Sequence, residues 1–239
     1  MGGIQKINVD VVSCDVVIYP VYENKITIIK TRRCHLKISQ NGEEAKIKQT
    51  KKPRFRKSKV EICVPAQVLF NLYVNNQSGS VDIGDGAFIS LELKGDNVSL
   101  TLAHASFESA EIDCKKLAFS ANELKVAGNL RVTAEGGAAA LTKCSAGDLD
   151  FNFESGSLGF ADLKCKDTSL YTEQGSINAI FAGSYKDYTF KLNAKNGLCN
   201  MENSDEGECV VKAYSGCGNI VIDFCEPQIK KDPAETAAA

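Results

Sequence analysis

Ser78-Gly79-Ser80-Val81-Asp82-Ile83 is a tight turn that runs into a short strand of alternating character, and the chain repeats it. It returns as Ser155-Gly156-Ser157-Leu158-Gly159-Phe160, as Gln174-Gly175-Ser176-Ile177-Asn178-Ala179-Ile180 and as Gly216-Cys217-Gly218-Asn219-Ile220-Val221-Ile222. Weaker copies stand at 128–132, 147–151 and 196–201. Glycine supplies the positive φ that such turns need, and Asn or Asp tolerates it. The apolar residues opening these strands fall at Leu91, Ile112, Leu130 and Leu149, and in a second series at Leu158, Ile177, Leu198 and Ile220. Steps within each series run from 18 to 22 residues. One coil of short strands, rising about 3.3 Å per residue, uses about that many. The pattern predicts an all-β fold: a short single-stranded β-helix or β-solenoid with two strand-and-turn units per coil. A β-sandwich, which also turns every 8 to 12 residues, is the rival.

Outward from the repeats, residues 1–75 read as an N-terminal layer of antiparallel strands that caps the solenoid. Alternating runs occur at 7–11, 16–19, 25–31, 35–39, 45–49, 59–64 and 68–74, with Pro20 and Pro65 as breaks. Only 65–70 suggests a brief turn of helix. Residues 76–225 are then the β-helix, with coils of roughly 18–22 residues, and 226–239 a disordered tail; the whole is one continuous structural domain. The chain of 239 residues, 44% hydrophobic and 24% charged, is long enough to bury a core without staples. It carries no apolar run long enough for a transmembrane helix.

Ten cysteines, none in a C-x-x-C pair, spell neither a zinc site nor a redox motif. They read as small hydrophobes in a reducing compartment, and Cys144 and Cys165, one coil apart, as an inner thiol ladder. No signal peptide opens the sequence, so the expected location is cytoplasmic; the alternative is the cell envelope, if a targeting segment precedes this sequence. No cofactor and no metal are expected.

Net charge is −2, but it is divided unevenly. Residues 1–75 hold 14 Lys and Arg against 6 Asp and Glu, and the rest hold 14 against 24. Lys46, Lys48, Lys51, Lys52, Arg54, Arg56, Lys57 and Lys59 stand together with no acid among them. Such a run suits an anionic polymer or a phospholipid surface; Phe55 alone is thin support for base stacking, so no specific nucleic acid is expected. The bland readings are a lysine-guarded edge strand or docking against the chain's own acidic half. The oligomeric state is not legible.

Chemistry is sparse. His104 alternates with Leu102 and reads as inward or turn-facing; His35 ends a basic run, and Cys34 beside Arg33 is a candidate for a lowered thiol pKa only if exposed. Asp148 with Asp150, and Glu111 with Asp113, put paired carboxylates on one strand face, the raw material of a polysaccharide-active β-helix enzyme, but equally of a solvated face. Tyr171, Tyr185, Tyr188 and Tyr214 are possible sugar or protein contacts, with Tyr185 and Tyr188 in a loop. No catalytic residue stands out, and the chain is expected not to be an enzyme.

These residues resemble a known family, the adhesin-like β-strand-repeat domains of bacteria designated DUF4097. The likeness runs from Ile4-Gln5-Lys6-Ile7-Asn8-Val9-Asp10 and Cys14-Asp15-Val16-Val17-Ile18-Tyr19-Pro20, through Val60-Glu61-Ile62-Cys63-Val64-Pro65, to the serine-glycine repeats at Ser78 and Ser155. The resemblance implies a β-helical, non-catalytic interaction or scaffold module, with no catalytic residues to carry over. Its partner would be a protein or an anionic cell-envelope polymer. The alternative reading is a sensor of anionic surfaces acting through residues 46–59.

Overall fold

The computed structural model describes residues 4–31, 34–51 and 58–225. The strands are β1 (Lys6–Val11), β2 (Cys14–Val21), β3 (Thr27–Lys30), β4 (Leu36–Asn41), β5 (Glu44–Gln49), β6 (Ser58–Pro65), β7 (Asn71–Asn76), β8 (Ser78–Gly84) and β9 (Ala87–Ala103). They continue as β10 (Ser106–Asn122), β11 (Lys125–Thr142), β12 (Ser145–Gln174), β13 (Ile177–Ala182), β14 (Tyr188–Ala194), β15 (Cys209–Cys217) and β16 (Ile220–Cys225), with a single 3-10 turn at Tyr185–Asp187. All belong to one 16-stranded, mostly parallel sheet, which rules out the sandwich reading. The helical turn expected at 65–70 is not formed; the chain makes hydrogen-bonded turns there instead. The tail 226–239 lies outside the described residues.

Register carries the repeat. Ala87 pairs with Ser106, Ser106 with Lys125, and Lys125 with Ser145, all in parallel, so like residues stack on like at steps of 19 or 20. Each such step, called a tier below, turns within its long strand, at a corner that bears glycine in β9, β11 and β12 but not in β10, and again just before the next long strand. Inward rows follow from the alternation: Leu93, Ile112, Val132 and Phe151 form one, and Leu100, Phe119, Ala139, Leu158, Ile177 and Ile220 another. Every one of these side chains is buried. Full burial of such a side chain contributes roughly 1.5–3 kcal/mol. The small Ala139 follows the large Phe119 along the second row, and Phe151 stacks on Phe119 and Phe153 with centroids 6.1 and 6.3 Å apart.

Three details of the expected spacing change. Leu91 stands in register with Ala110, not Ile112, because the β9–β10 step is 19 residues throughout, which sets Ile112 against Leu93. Leu198 is 75% exposed, and its neighbour Cys199 takes the position beside Ile220. The Lys164 N–H donates to the Cys144 carbonyl, so Cys144 stands level with Leu163 and Cys165 with Ala146; no thiol ladder forms.

The antiparallel layer expected over residues 1–75 shrinks to two strands. Only β3 on β6 and β4 on β5 are antiparallel; β1, β2 and β5 to β8 pair in parallel and continue the tiers. The reason is the inward pattern: β1 and β5 alternate buried and outward residues just as the later strands do, whereas β4 is exposed from Lys37 to Asn41 and has no core face to share.

Neither end of the stack follows chain order. The β1–β2 tier is inserted between β5–β6 and β7–β8, and the β15–β16 tier between β12–β13 and the later-lying β14. Both ends of the described chain are thereby held between two neighbours instead of fraying at an edge. The stack is closed by antiparallel segments: β3 and β4 at one end, and at the other the stretch around Ser204, which exchanges backbone hydrogen bonds with Phe190 of β14.

Candidate binding surface

Alternation that buries one side of each strand leaves the other side as an outer face, and parallel register makes that face regular. On the β8 side of the tiers, Ser80, Ser99, Ala118, Ala138 and Ser157 form one row. Asp82, Thr101, Ser120, Ala140, Gly159 and Asn178 form the next. The central tiers therefore present a smooth, nearly uncharged surface of short side chains, with a shallow trough of about 830 Å³ along its border with the glycine corner. Across that corner lies a charged surface, where Lys94, Asp96, Asp113, Lys115, Glu135 and Glu154 line a depression of about 540 Å³.

The basic segment is divided by the fold. Lys46 and Lys48 project from β5 and pair with Glu44 (3.0 Å) and Asp10 (3.2 Å). Lys59 projects from β6, a strand on a different side of the tier, and pairs with Glu61 at 2.7 Å. Glu44 in turn is held below the usual carboxylate range, first by its bond to Lys46. Lys51 is exposed and has no ion-pair partner among the described residues. Lys52, Arg54, Arg56 and Lys57 lie outside the described residues.

The remaining candidates settle into packing and solvation. Asp150 faces outward and meets Arg131 Nε at 3.4 Å. Tyr171 and Tyr214 stack as register neighbours, 5.0 Å apart and nearly parallel, and the Tyr171 hydroxyl donates to Glu173. Tyr188 is buried with its hydroxyl donating to the Ala182 carbonyl, and Tyr185 lies against Phe190 at 5.6 Å, so the loop tyrosines close the end of the core. Burial pushes the Tyr188 phenol up to about 12. Cys34 is fully buried with its Sγ 3.9 Å from that of Cys14, so it is no exposed nucleophile, and burial pushes the Cys14 thiol up to about 12. His35 is exposed, and its carbonyl accepts from Thr50. Among the described residues no group of His, Cys, Asp or Glu is arranged to hold a metal ion. None of their helices is long and apolar enough to cross a membrane.

One feature leaves no residue-type signature. Asp85, His104, Glu123, Lys143 and Asp162 occupy the second corner of successive tiers, all with left-handed backbone, φ between 51° and 57°. Their side chains form a mixed-charge ladder along the edge of the smooth face, in which Glu123 meets His104 Nδ1 at 3.1 Å and Lys143 at 4.0 Å. His104 is thus turn-facing and exposed.

No curated protein matches this chain. A solved structure of a "putative cell adhesion protein" from Clostridium sporogenes ATCC 15579 is similar at 11% identity over 93% of each chain, with a TM-score of 0.26. The family model described as Toastrack DUF4097 matches residues 4–232. The chain belongs to the toastrack DUF4097 family.

Proposed function

We propose that the chain winds as a short β-solenoid and serves as a non-catalytic interaction or scaffold module that recognises an extended surface. The observation that supports this reading is the smooth face, rows of Ser, Thr, Ala, Gly and Asn stacked in register over successive tiers. Short side chains lose little rotamer entropy on contact, and a regular row offers the same hydroxyls and methyls at each strand spacing, about 4.8 Å. Such a surface matches a repetitive polymer or another flat protein face better than a compact metabolite. In this reading the toastrack module works through its sides, with the N-terminal strands closing one end of the solenoid, and it does so in a reducing compartment, a reading that the unpaired cysteines support. A polysaccharide-active enzyme is a distant alternative.

A second reading, recognition of anionic membranes or envelope polymers through residues 46–59, is favoured by one observation: Lys51 is exposed, without an ion-pair partner among the described residues, beside a run with no acidic residue. Co-sedimentation with purified cell wall and with anionic and neutral vesicles, at low and moderate salt, distinguishes the two. Cell-wall binding lost on placing Lys at Ala118, Ala138 and Ala140, but kept when Lys51, Lys52, Arg54, Arg56 and Lys57 become Glu, supports the smooth face. Salt-sensitive binding abolished by the glutamate variant instead supports the basic segment, because counterion release drives such contacts. Absence of binding to any of these overturns the basic-segment reading and recognition of a polymer by the smooth face, and leaves a flat protein face as its partner.

A further inference from the structure

The two ends of the tier stack are opposite in charge. We propose that they form a self-complementary pair of docking surfaces, and that copies of this chain associate head to tail, the basic end of one on the acidic end of the next. This goes beyond the reading of the smooth face and does not rest on it.

At the N-terminal end, β4 pairs only with β5 and β3 only with β6, so each presents an edge with no strand partner among the described residues. Among the described residues Lys25, Lys37 and Lys51, all exposed there, make no ion pair, and Ile29 and Ile38 are half exposed beside them. Among the described residues from 22 to 59 stand seven Lys against three Glu. At the C-terminal end, the stretch 196–208 carries four carboxylates, Glu202, Asp205, Glu206 and Glu208, and no basic residue. All four are exposed and without an ion-pair partner among the described residues, and Leu198 stands beside them at 75% exposure. This stretch runs along the outer edge of β14, with the Asn203 side chain accepting from the Leu192 N–H at 2.6 Å.

Charged residues at a sheet edge ordinarily keep it from pairing with another chain. That protection holds only between like charges. Here two basic ends repel, two acidic ends repel, and the unlike ends attract, each with exposed apolar side chains to bury, and the basic end with open strand edges as well. Charge complementarity of this kind selects orientation as well as partner. Contact between different ends is heterologous, so it propagates into linear chains unless rotation closes a ring.

Sedimentation velocity of the full chain at rising concentration tests this. Mass is expected to rise with concentration at low salt and to return to the monomer as salt screens the ends. Two charge-reversed proteins sharpen the test: Lys25→Glu with Lys37→Glu and Lys51→Glu at one end, and Glu202→Lys with Asp205→Lys and Glu206→Lys at the other. Each alone is expected to stay monomeric, at least tenfold weaker in self-association, with an unchanged thermal midpoint because these side chains are exposed. Mixed in equal amounts they are expected to associate again, since the swapped charges are complementary. A monomer at all concentrations, association indifferent to salt, or a mixture that stays monomeric would overturn the proposal. So would either variant forming dimers by itself, which would indicate a two-fold contact elsewhere.

Discussion

The two corners of each tier solve the same geometrical problem with different chemistry. At one, Gly79, Gly137, Gly156 and Gly218 take φ between 138° and 157°, a region open only to glycine. They also stack: a Cβ on Gly137 would be driven into the Leu117 carbonyl, and one on Gly156 into that of Gly137. At the other, Asp85, His104, Glu123, Lys143 and Asp162 take φ near 55°, where an ordinary side chain is strained but allowed. Where the chain takes that φ the first corner prescribes glycine, although the β9 and β10 tiers pass the same register with Val98 and Leu117. The second corner prescribes only a conformation, leaving the side chain free to meet solvent or a partner.

The largest expected effect breaks the first corner. Gly137→Ala combines forbidden backbone with overlap on a neighbouring tier that cannot move without shifting its own hydrogen bonds. Loss of about 4 kcal/mol or more is expected, which is exceptional for one methyl group. Chemical denaturation would measure it, and a loss under about 1 kcal/mol would mean the corner relaxes and that stacking does not impose the glycine.

A smaller loss is expected from alkali. Cys114 lies on the inward row that leads into the glycine corner, and burial pushes its thiol up to about 12 from an ordinary 9. Cys165 is raised to about 12 in the same way. A raised pKa means the folded chain holds protons that the unfolded chain has released, so stability is intact below pH 9 and falls as pH rises from 9 toward 12. Denaturant midpoints across that window should decline, and Cys114→Ala should flatten the decline while lowering stability at neutral pH. A midpoint that does not move between pH 8 and 11 would show the thiols to be in contact with water.

This contrast also explains what the sequence discloses. The Ser-Gly-Ser repeats of the first corner are legible because only one residue fits, and from them the turns, the two units per tier and the spacing follow. The second corner is silent because Asp, His, Glu, Lys and Asp share no chemistry, only a place in the register. Leu91 does not meet Ile112 for a related reason: Leu91 and Leu93 share one buried face, as do Ala110 and Ile112, so alternation alone does not choose between registers two residues apart. The sorting of Lys46 and Lys48 from Lys59 onto different sides depends on a corner between β5 and β6 that composition does not reveal. The tucked ends are hidden likewise, since the order of tiers in space departs from order in the chain only at the two ends. The smooth face was present in the sequence as the polar half of each alternation, but its regularity appears only once residues 19 or 20 apart are set side by side.

At the second corner the expected effects are small and of the opposite sign. Lys143→Gly removes a Cβ from left-handed backbone, relieving about 1–2 kcal/mol of local strain, while greater freedom of the unfolded chain offsets about 0.4–1 kcal/mol of it. The exposed contact between Lys143 and Glu123, at 4.0 Å, contributes little. Net stabilisation of up to about 1 kcal/mol is expected.

The smallest effect belongs to the smooth face between the corners. Gly159 is neither left-handed nor crowded; a Cβ there would sit 3.6 Å from the Ala139 carbonyl oxygen, ordinary contact distance. Gly159→Ala should therefore leave stability within about 0.5 kcal/mol, or raise it slightly by restricting the unfolded chain. The substitution continues a row already containing Ala140, so the surface stays smooth and any polymer or protein face that it binds should still be bound. A loss as large as that of Gly137→Ala would mean that glycine is required along the flat as well as at the turn. The division of labour between corner and face would then fail. Equal stability with lost binding would instead mark Gly159 as a point of close approach by the partner, the one role that a methyl group alone can block.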